Sequence, residues 1–446
     1  MNEHPAVPQV SRREAFLYWL KLGFISFGGP AGQIALMHTE LVERRRWISE
    51  GRFLHALNYC MLLPGPEATQ LAVYIGWLLH RTWGGIVAGV LFILPSLALL
   101  IGLGWIYLAY GHLTLVAGIM NGIKPAVVAI VVAAAWRIGS RTLRNGILVG
   151  IALAAFVAIA LLDVPFPLIV LGAALAGVIG ARLRPGAFHP PGAHAAGDGT
   201  PAAARPRALI DDDTPTPPHA RFSTRRLAAV GLAGVGLMLV VWLLLAAWGG
   251  SRGTLAQMGW FFTKAALLTF GGAYAVLPYV VQGAVEHYGW LTAPQMIDGL
   301  ALGETTPGPL IMIVAFVGFV GGWTHAIFGP EAMTLGGIAG AAVAALFTFV
   351  PSFVFILAGG PLVESTRGNL RLTAPLTAIS AAVVGVIASL ALYFGREVFF
   401  AGGTAQVEAI VLGIAAAIAL LRYRVGTITL LAACALAGLV LSYWHG

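Results

Sequence analysis

Runs of about 20 apolar residues recur along nearly the whole chain, and each is what an α-helix needs to cross the hydrocarbon core of a bilayer. Thirteen can be marked. Six precede a polar break, roughly 14–38, 53–80, 83–109, 113–136, 145–162 and 165–182. Seven follow it, at 227–249, 255–282, 295–322, 335–360, 371–394, 398–421 and 426–444. Lipid offers backbone groups no water, so such segments must bond internally as helices. Composition agrees: of 446 residues 59% are apolar and 10% charged, against about 25% charged in a soluble protein. That excludes a cytosolic enzyme, a secreted domain and a disordered scaffold. Cys60 and Cys434 are the two cysteines, too few for a disulfide framework or a Cys-based metal cluster. No cleavable signal peptide is expected from the polar start. The expected architecture is an all-α polytopic membrane protein surrounded by lipid. It comprises a cytoplasmic tail (1–13), a first membrane domain (14–182), a flexible cytoplasmic linker (183–226) and a second membrane domain (227–446).

Arginine placement gives the orientation. If all thirteen segments cross, seventeen of the 23 arginines fall on one face. Arg44, Arg45, Arg46, Arg52, Arg252 and Arg396 fall on the other. The N-terminus and linker are therefore expected in the cytoplasm and the C-terminus in the periplasm. The run Arg44-Arg45-Arg46 violates the rule unless segment 1 is re-entrant. Topology also accounts for the net charge of +8, so no nucleic-acid partner is expected.

The sequence repeats at an offset of 243 residues. Lys21 falls on Lys264, Phe27-Gly28-Gly29 on Phe270-Gly271-Gly272, Trp47 on Trp290, and Pro64-Gly65-Pro66 on Pro307-Gly308-Pro309. Between 21–66 and 264–309 there are 11 identities in 46 positions, where about three arise by chance. Ser26 lies on Thr269 and Ser49 on Thr292. Pro95-Ser96 then matches Pro351-Ser352 at an offset of 256, which places a 13-residue insertion in the second half. An odd number of crossings separates the repeat starts, whether both or neither of segments 1 and 2 double back, so the halves are expected to be inverted, as in many secondary transporters; if only one doubles back, the repeats become parallel.

The Gly-Gly and Pro-Gly-Pro strings interrupt apolar segments at four matched places. Broken helices in a membrane are tolerated where they are buried or line a cavity. Helices restarting there would aim N–H groups and positive dipole ends at one site, which favours anions. The expected binding set is Lys21, Ser26, Gly28, Gly29, Pro64, Gly65, Pro66, Lys264, Thr269, Gly271, Gly272, Pro307, Gly308 and Pro309. Lys21, Lys124 and Lys264 are the three lysines, all within apolar segments, where an ammonium is functional by default; the alternative for Lys21 and Lys264 is snorkelling toward a nearby interface. Glu67 and Glu304 abut the Pro-Gly-Pro strings and are the proton-coupling candidates, with Asp298 nearby. The alternative for Glu67 is that it complements the dipole of a restarted helix. Gln33, Asn58, Gln70, Thr305 and Thr306 add polar groups near the breaks. Trp47 and Trp290 read as interfacial anchors. No HExxH, Walker A, GxGxxG or Cys-His metal spacing occurs, so neither an enzyme nor a resident metal or cofactor is expected.

The strings Phe27-Gly28-Gly29-Pro30-Ala31-Gly32-Gln33, Glu43-Arg44-Arg45-Arg46-Trp47-Ile48 and Leu57-Asn58-Tyr59-Cys60-Met61-Leu62-Leu63-Pro64-Gly65-Pro66-Glu67 resemble the chromate ion transporter family. Thr269-Phe270-Gly271-Gly272-Ala273-Tyr274 and Gly303-Glu304-Thr305-Thr306-Pro307-Gly308-Pro309 repeat the resemblance in the second half. It covers about residues 14–440 and fits the family's long, two-domain form. The resemblance implies an inner-membrane protein with opposed halves, chromate efflux and chromate resistance, with sulfate as a lookalike ion. It leaves the driving force and any homo-oligomer open. A dianion leaving a negative interior gains about 4.6 kcal/mol per 100 mV, so potential alone suffices as the driving force and proton coupling is optional. A sulfate or other oxyanion transporter is the nearest alternative, and a non-transporting sensor or scaffold the alternative of another class.

Overall fold

The computed structural model describes residues 9–184, 188, 207–215, 217–365 and 373–445. Helices run through both halves. In the first they are α1 (Arg12–Ile25), α2 (Gly29–His38), α3 (Glu50–Cys60), α4 (Glu67–Tyr110), α5 (Thr114–Thr142), α6 (Gly146–Ala160) and α7 (Phe166–Leu183). An added helix α8 (Thr224–Gly249) follows. The second half holds α9 (Thr254–Leu268), α10 (Ala273–Val281), α11 (Ala293–Thr305), α12 (Ile313–Thr324), α13 (Met333–Ser365), α14 (Thr373–Phe399), α15 (Val407–Leu421) and α16 (Thr427–His445). The repeat extends to local geometry. π-Helical turns end α2 at Thr39–Arg44 and α10 at Gln282–His287, 243 residues apart.

Four of the thirteen expected crossings double back. Arg45, beyond the first π-turn, donates to Glu14 in the first turn of α1 at 3.1 Å and stands 5.2 Å over the Tyr18 ring. Segment 1 therefore returns to the face it left, with its tip at Gly28-Gly29. Segment 2 does the same. The Ser49 N–H at the start of α3 donates to the Ile210 carbonyl at 2.9 Å, and Trp77 near the end of the return arm contacts His219 Nε2 through its carbonyl at 3.1 Å. Both partners belong to one stretch, 207–226. In the second half Thr324 Oγ1, at the end of α12, donates to the Trp290 carbonyl at 3.2 Å. Thr254, at the start of α9, shares a pocket with His325 and Ile327. Seven described helices are long and apolar enough to cross a membrane, and Gly146–Ala160, Leu310–Thr324 and Val407–Leu421 are shorter apolar helices; Leu310–Thr324 is the return arm of a hairpin, which leaves nine helices as candidate crossings. With those nine as the crossings, Arg44, Arg45, Arg46 and Arg52 would join the arginine majority.

Two further expectations change. Residues 207–226, placed in a flexible linker, are seated on the first half. Leu209 and Ile210 donate to the Arg46 and Trp47 carbonyls at 2.9 and 3.1 Å, Ser49 Oγ donates to Asp212 at 2.7 Å, and Arg52 donates to the Thr214 carbonyl. Residues 185–187, 189–206 and 216 of that linker lie outside the described residues. Trp47 and Trp290 are buried rather than interfacial. Each closes an aromatic cluster behind its hairpin, Trp47 on Tyr18 and Trp290 on Phe262 and Tyr288.

The two sequence halves interlock. α5 packs against α15 and α16, and its mate α14 packs against α6 and α7. Small residues make these approaches: Gly122 faces the Cys434 carbonyl and Gly438, and Gly385 faces the Ala152 carbonyl. Close backbone packing of this kind substitutes for the hydrophobic drive that lipid does not provide. α8 has no buried residue and lies outside α9 and α13. The sequence insertion falls between α12 and α13, where the first half has only a kink at His80 and Arg81.

Candidate functional site

The hairpin tips meet between the halves and exchange backbone hydrogen bonds. Gly65 N–H donates to the Thr269 carbonyl at 2.7 Å, and Gly308 N–H donates to the Ser26 carbonyl at 2.8 Å. Ser26 and Thr269 are repeat mates, as are Gly65 and Gly308, so the exchange is reciprocal and marks a local two-fold relation. The serines follow the same rule. A Cβ on Gly308 would stand 2.7 Å from the Ser96 Cβ, and one on Gly65 would collide with the Ser352 hydroxyl. The φ angles of +121° at Gly65 and +103° at Gly308 also suit glycine alone.

A narrow crevice of about 10 Å³, room for about one water, lies at this crossing, lined by Pro30, Gln33, Pro66, Glu67, Ala68, Gly272, Ala273, Pro309, Leu310 and Ile311. The lining residues come from four helix starts: α2, α4, α10, and the 3-10 turn Leu310–Met312 that leads into α12. None of the four has a side-chain cap. Three of the four outgoing arms differ: α1, α3 and α11 are capped by Ser11, Ser49 and Thr292, whereas α9 starts at Gly253 without a side-chain cap. Uncapped first turns leave N–H donors and a positive dipole end. Because all four return arms begin at the tips, their N-termini converge on one volume, and an anion is the natural occupant.

Most of the expected residues shape the site without lining it. Pro66, Gly272 and Pro309 line the cavity directly, as does Glu67. Gly65 and Gly308 carry the crossed bonds, and Gly28 caps α2 beside Gly29. The Pro64 carbonyl accepts from Gln70 Nε2 at 2.8 Å. Gly271 and Pro307 flank the tips but do not line the cavity. The Ser26 and Thr269 hydroxyls are committed to the Leu22 and Ala265 carbonyls at 2.5 and 2.7 Å, so these residues serve through their carbonyls. Thr305 and Thr306 likewise return to Leu302 and Gly303.

The lysines stand apart from the crevice lining. Lys21 is exposed on α1, and Lys264 lies 5.7 Å above the exposed Trp260 ring. Neither lines the cavity. The two-turn spacing to Gly-Gly aligned them along the helix axis, but the packed face of α1 runs through Tyr18, Trp19 and Leu22. The third lysine is the engaged one. Lys124 lies 3.6 Å from Asp298, and Tyr107 donates to the same carboxylate oxygen at 2.8 Å. Glu304 does not line the cavity; Tyr274 donates to it.

Sequence reasoning missed the apolar lining, Pro30, Ala68, Ala273, Leu310 and Ile311, because their contribution is backbone geometry at helix starts. Gln33 stood out only as one polar residue among several. Its Nε2 donates to the Gly308 carbonyl at 2.5 Å and the Ser26 carbonyl at 3.3 Å, which ties α2 to both crossed tips.

Comparison with known proteins matches this organisation. The family model for chromate transporters covers residues 13–178 and 256–439, which omits α8 and the stretch before it. The chain is 33% identical to the chromate transport protein of Pseudomonas aeruginosa over 388 residues, 85% of this chain and 80% of that protein. It is 28% identical to the chromate transport protein of Cupriavidus metallidurans over 393 residues, 87% of this chain and 84% of that one. The uncharacterized transporter YwrB of Bacillus subtilis is 30% identical over 145 residues, 32% of this chain but 71% of its own length, as expected if one half can exist as a chain by itself. No solved structure matches. The chain belongs to the chromate transporter family.

Proposed function

We propose that the protein exports chromate across the bacterial inner membrane and so confers chromate resistance. The observation that carries this reading is the cavity walled by four uncapped helix starts from opposed hairpins. Two full-length relatives named for chromate transport support the choice of ion. The site lies where the halves cross, so a rocking of one half against the other would expose it alternately to the two faces. With nine crossings the chain's ends lie on opposite sides, and the arginine majority puts the N-terminus in the cytoplasm and the C-terminus in the periplasm. The halves are then inverted, because four crossings of the first half and α8 separate their starts. Each negative charge leaving a cell interior gains about 2.3 kcal/mol per 100 mV, so the membrane potential drives export, and proton coupling through Glu67 is compatible with it.

Labelled chromate flux in proteoliposomes tests this, under an imposed potential, with and without a pH gradient and with excess sulfate. Potential-driven flux that sulfate blocks weakly is the expected result. Strong sulfate flux without chromate flux would make this a sulfate transporter, and no flux of either would leave a sensor or scaffold.

A further inference from the structure

The cavity holds hydrogen-bond acceptors as well as helix starts. Gln33 is fully buried. Its Nε2 meets two backbone carbonyls, which only an NH₂ group can satisfy, so the orientation of the amide is set. Oε1 is left buried without a partner. Glu67, the other polar side chain in the lining, has no basic partner among the described residues. When ionised it too can only accept. No lysine or arginine lines the cavity.

These groups suit an anion that carries a proton. Four helix starts supply roughly two positive charges in all, from about half a charge each. An ionised Glu67 cancels about one of them. The remainder balances a monoanion and leaves a dianion undercompensated. A fully deprotonated tetrahedral oxyanion has no hydrogen to give, so it would face two acceptors with its own lone pairs. A protonated oxyanion offers an O–H.

We propose that the ion this site takes is the singly protonated oxyanion, hydrogen chromate, whose one O–H is donated to Gln33 Oε1 or to the Glu67 carboxylate while its remaining oxygens face the helix starts. The inference rests on the chromate reading above. It also gives that reading a basis for selectivity. Chromate exchanges its second proton near neutral pH, whereas sulfate stays doubly deprotonated far below it. The two dianions match in shape and charge, but only chromate offers the cell a protonated form. The transported proton enters and leaves with the ion, so no protein group needs to shuttle it.

The other titratable groups around the cavity are few. Cys60 of α3 lies behind Glu67. Tyr274 of α10 and Glu304 of α11 form a pair, on which the Arg137 guanidinium of α5 acts. α13 brings Ser352 and α4 brings Ser96 to the glycine tips, and neither titrates in this range.

The test is chromate flux into proteoliposomes at fixed potential, with equal pH on both sides, from mildly acidic to mildly alkaline. The KM for total chromate should rise roughly tenfold per pH unit on the alkaline side, while the KM calculated for hydrogen chromate stays constant. Phosphate, which keeps an O–H across this range, should compete, and sulfate and selenate should not. In Glu67→Gln the new amide can donate; sulfate inhibition should strengthen about tenfold and the pH dependence should flatten. Chromate flux with a pH-independent KM and full competition by sulfate would overturn this proposal and leave chromate transport standing. Absence of chromate flux at every pH would overturn both. The wild-type pH profile and competition series decide the matter even if the variant fails to fold.

Discussion

The two halves share their backbone plan and differ in the side chains hung upon it. Both have two hairpins, a π-turn after the first, glycine at the same tip position and a serine against that glycine. At equivalent positions the chemistry diverges. The first half ties its tips with the amides Gln33 and Gln70; the second has Val276 and Ile313 there. The second half buries Asp298 against Lys124 and Tyr107 and pairs Glu304 with Tyr274, where the first has His55 and Met61. The first half alone carries the stretch 207–226 across its hairpin ends among the described residues. Symmetry thus builds the crossing and its converging helix starts. Asymmetry makes one side acceptor-rich and leaves the other side its own buried charges.

If that division is right, mates should respond alike where the plan is shared and differently where it is not. The largest contrast is expected between Asp298 and its mate His55. Removing one member of a buried ion pair costs about 3–5 kcal/mol, and Asp298 is 2% exposed. Asp298→Ala should lower the unfolding temperature in detergent severely, His55→Ala by far less. Lys124→Met with Asp298→Leu should recover most of the loss, because no unpaired charge remains.

The glycine tips come next. Gly65→Ala and Gly308→Ala should each cost about 1–3 kcal/mol in backbone strain alone, plus the clash with serine. Rescue should separate them. Ser352→Ala should relieve Gly65→Ala in part, because it removes the colliding hydroxyl. Ser96→Ala should not relieve Gly308→Ala, where the Cβ itself stands 2.7 Å away. Equal rescue at both would refute the packing described for the second tip.

A smaller effect concerns the strap on the first half. Burial holds the His219 imidazole below its ordinary range, with the nearby Arg81 and Arg226 charges acting in the same direction. A depressed folded value means the neutral ring stabilises the seated strap, and that contribution is lost as pH falls below the ordinary value of about 6.5. Protection against hydrogen exchange at 207–215 and 217–226, taken relative to the intrinsic rate at each pH, should fall with acidification, and His219→Gln should flatten the response. The smallest change is expected at Lys21→Gln and Lys264→Gln, with chromate KM within about threefold of wild type. A tenfold loss at either would return the lysines to the site.

Much of this plan was legible in the sequence. The 243-residue offset marked all four tips, and Glu67 was singled out beside one of them. The hairpins were harder to see, because 14–38 and 53–80 are each long and apolar enough to cross; only the misplaced arginines hinted at a return. The cavity lining was legible only as breaks. Ala68, Ala273 and Leu310 contribute amide groups whose direction depends on where the opposite half places its own tip. The facing of Lys21 and Lys264 was not legible, because periodicity fixes position along a helix axis, while the neighbouring hairpins decide which face is inside.

The central claim is that two repeated halves build one shared anion site, and binding stoichiometry tests it most directly. Equilibrium binding of labelled chromate to the purified full chain should saturate at one ion per chain, with Glu67→Gln altering that single class of site. Two equivalent ions per chain would place a site in each half and contradict the crossing as the binding locus. No saturable binding would contradict the site altogether.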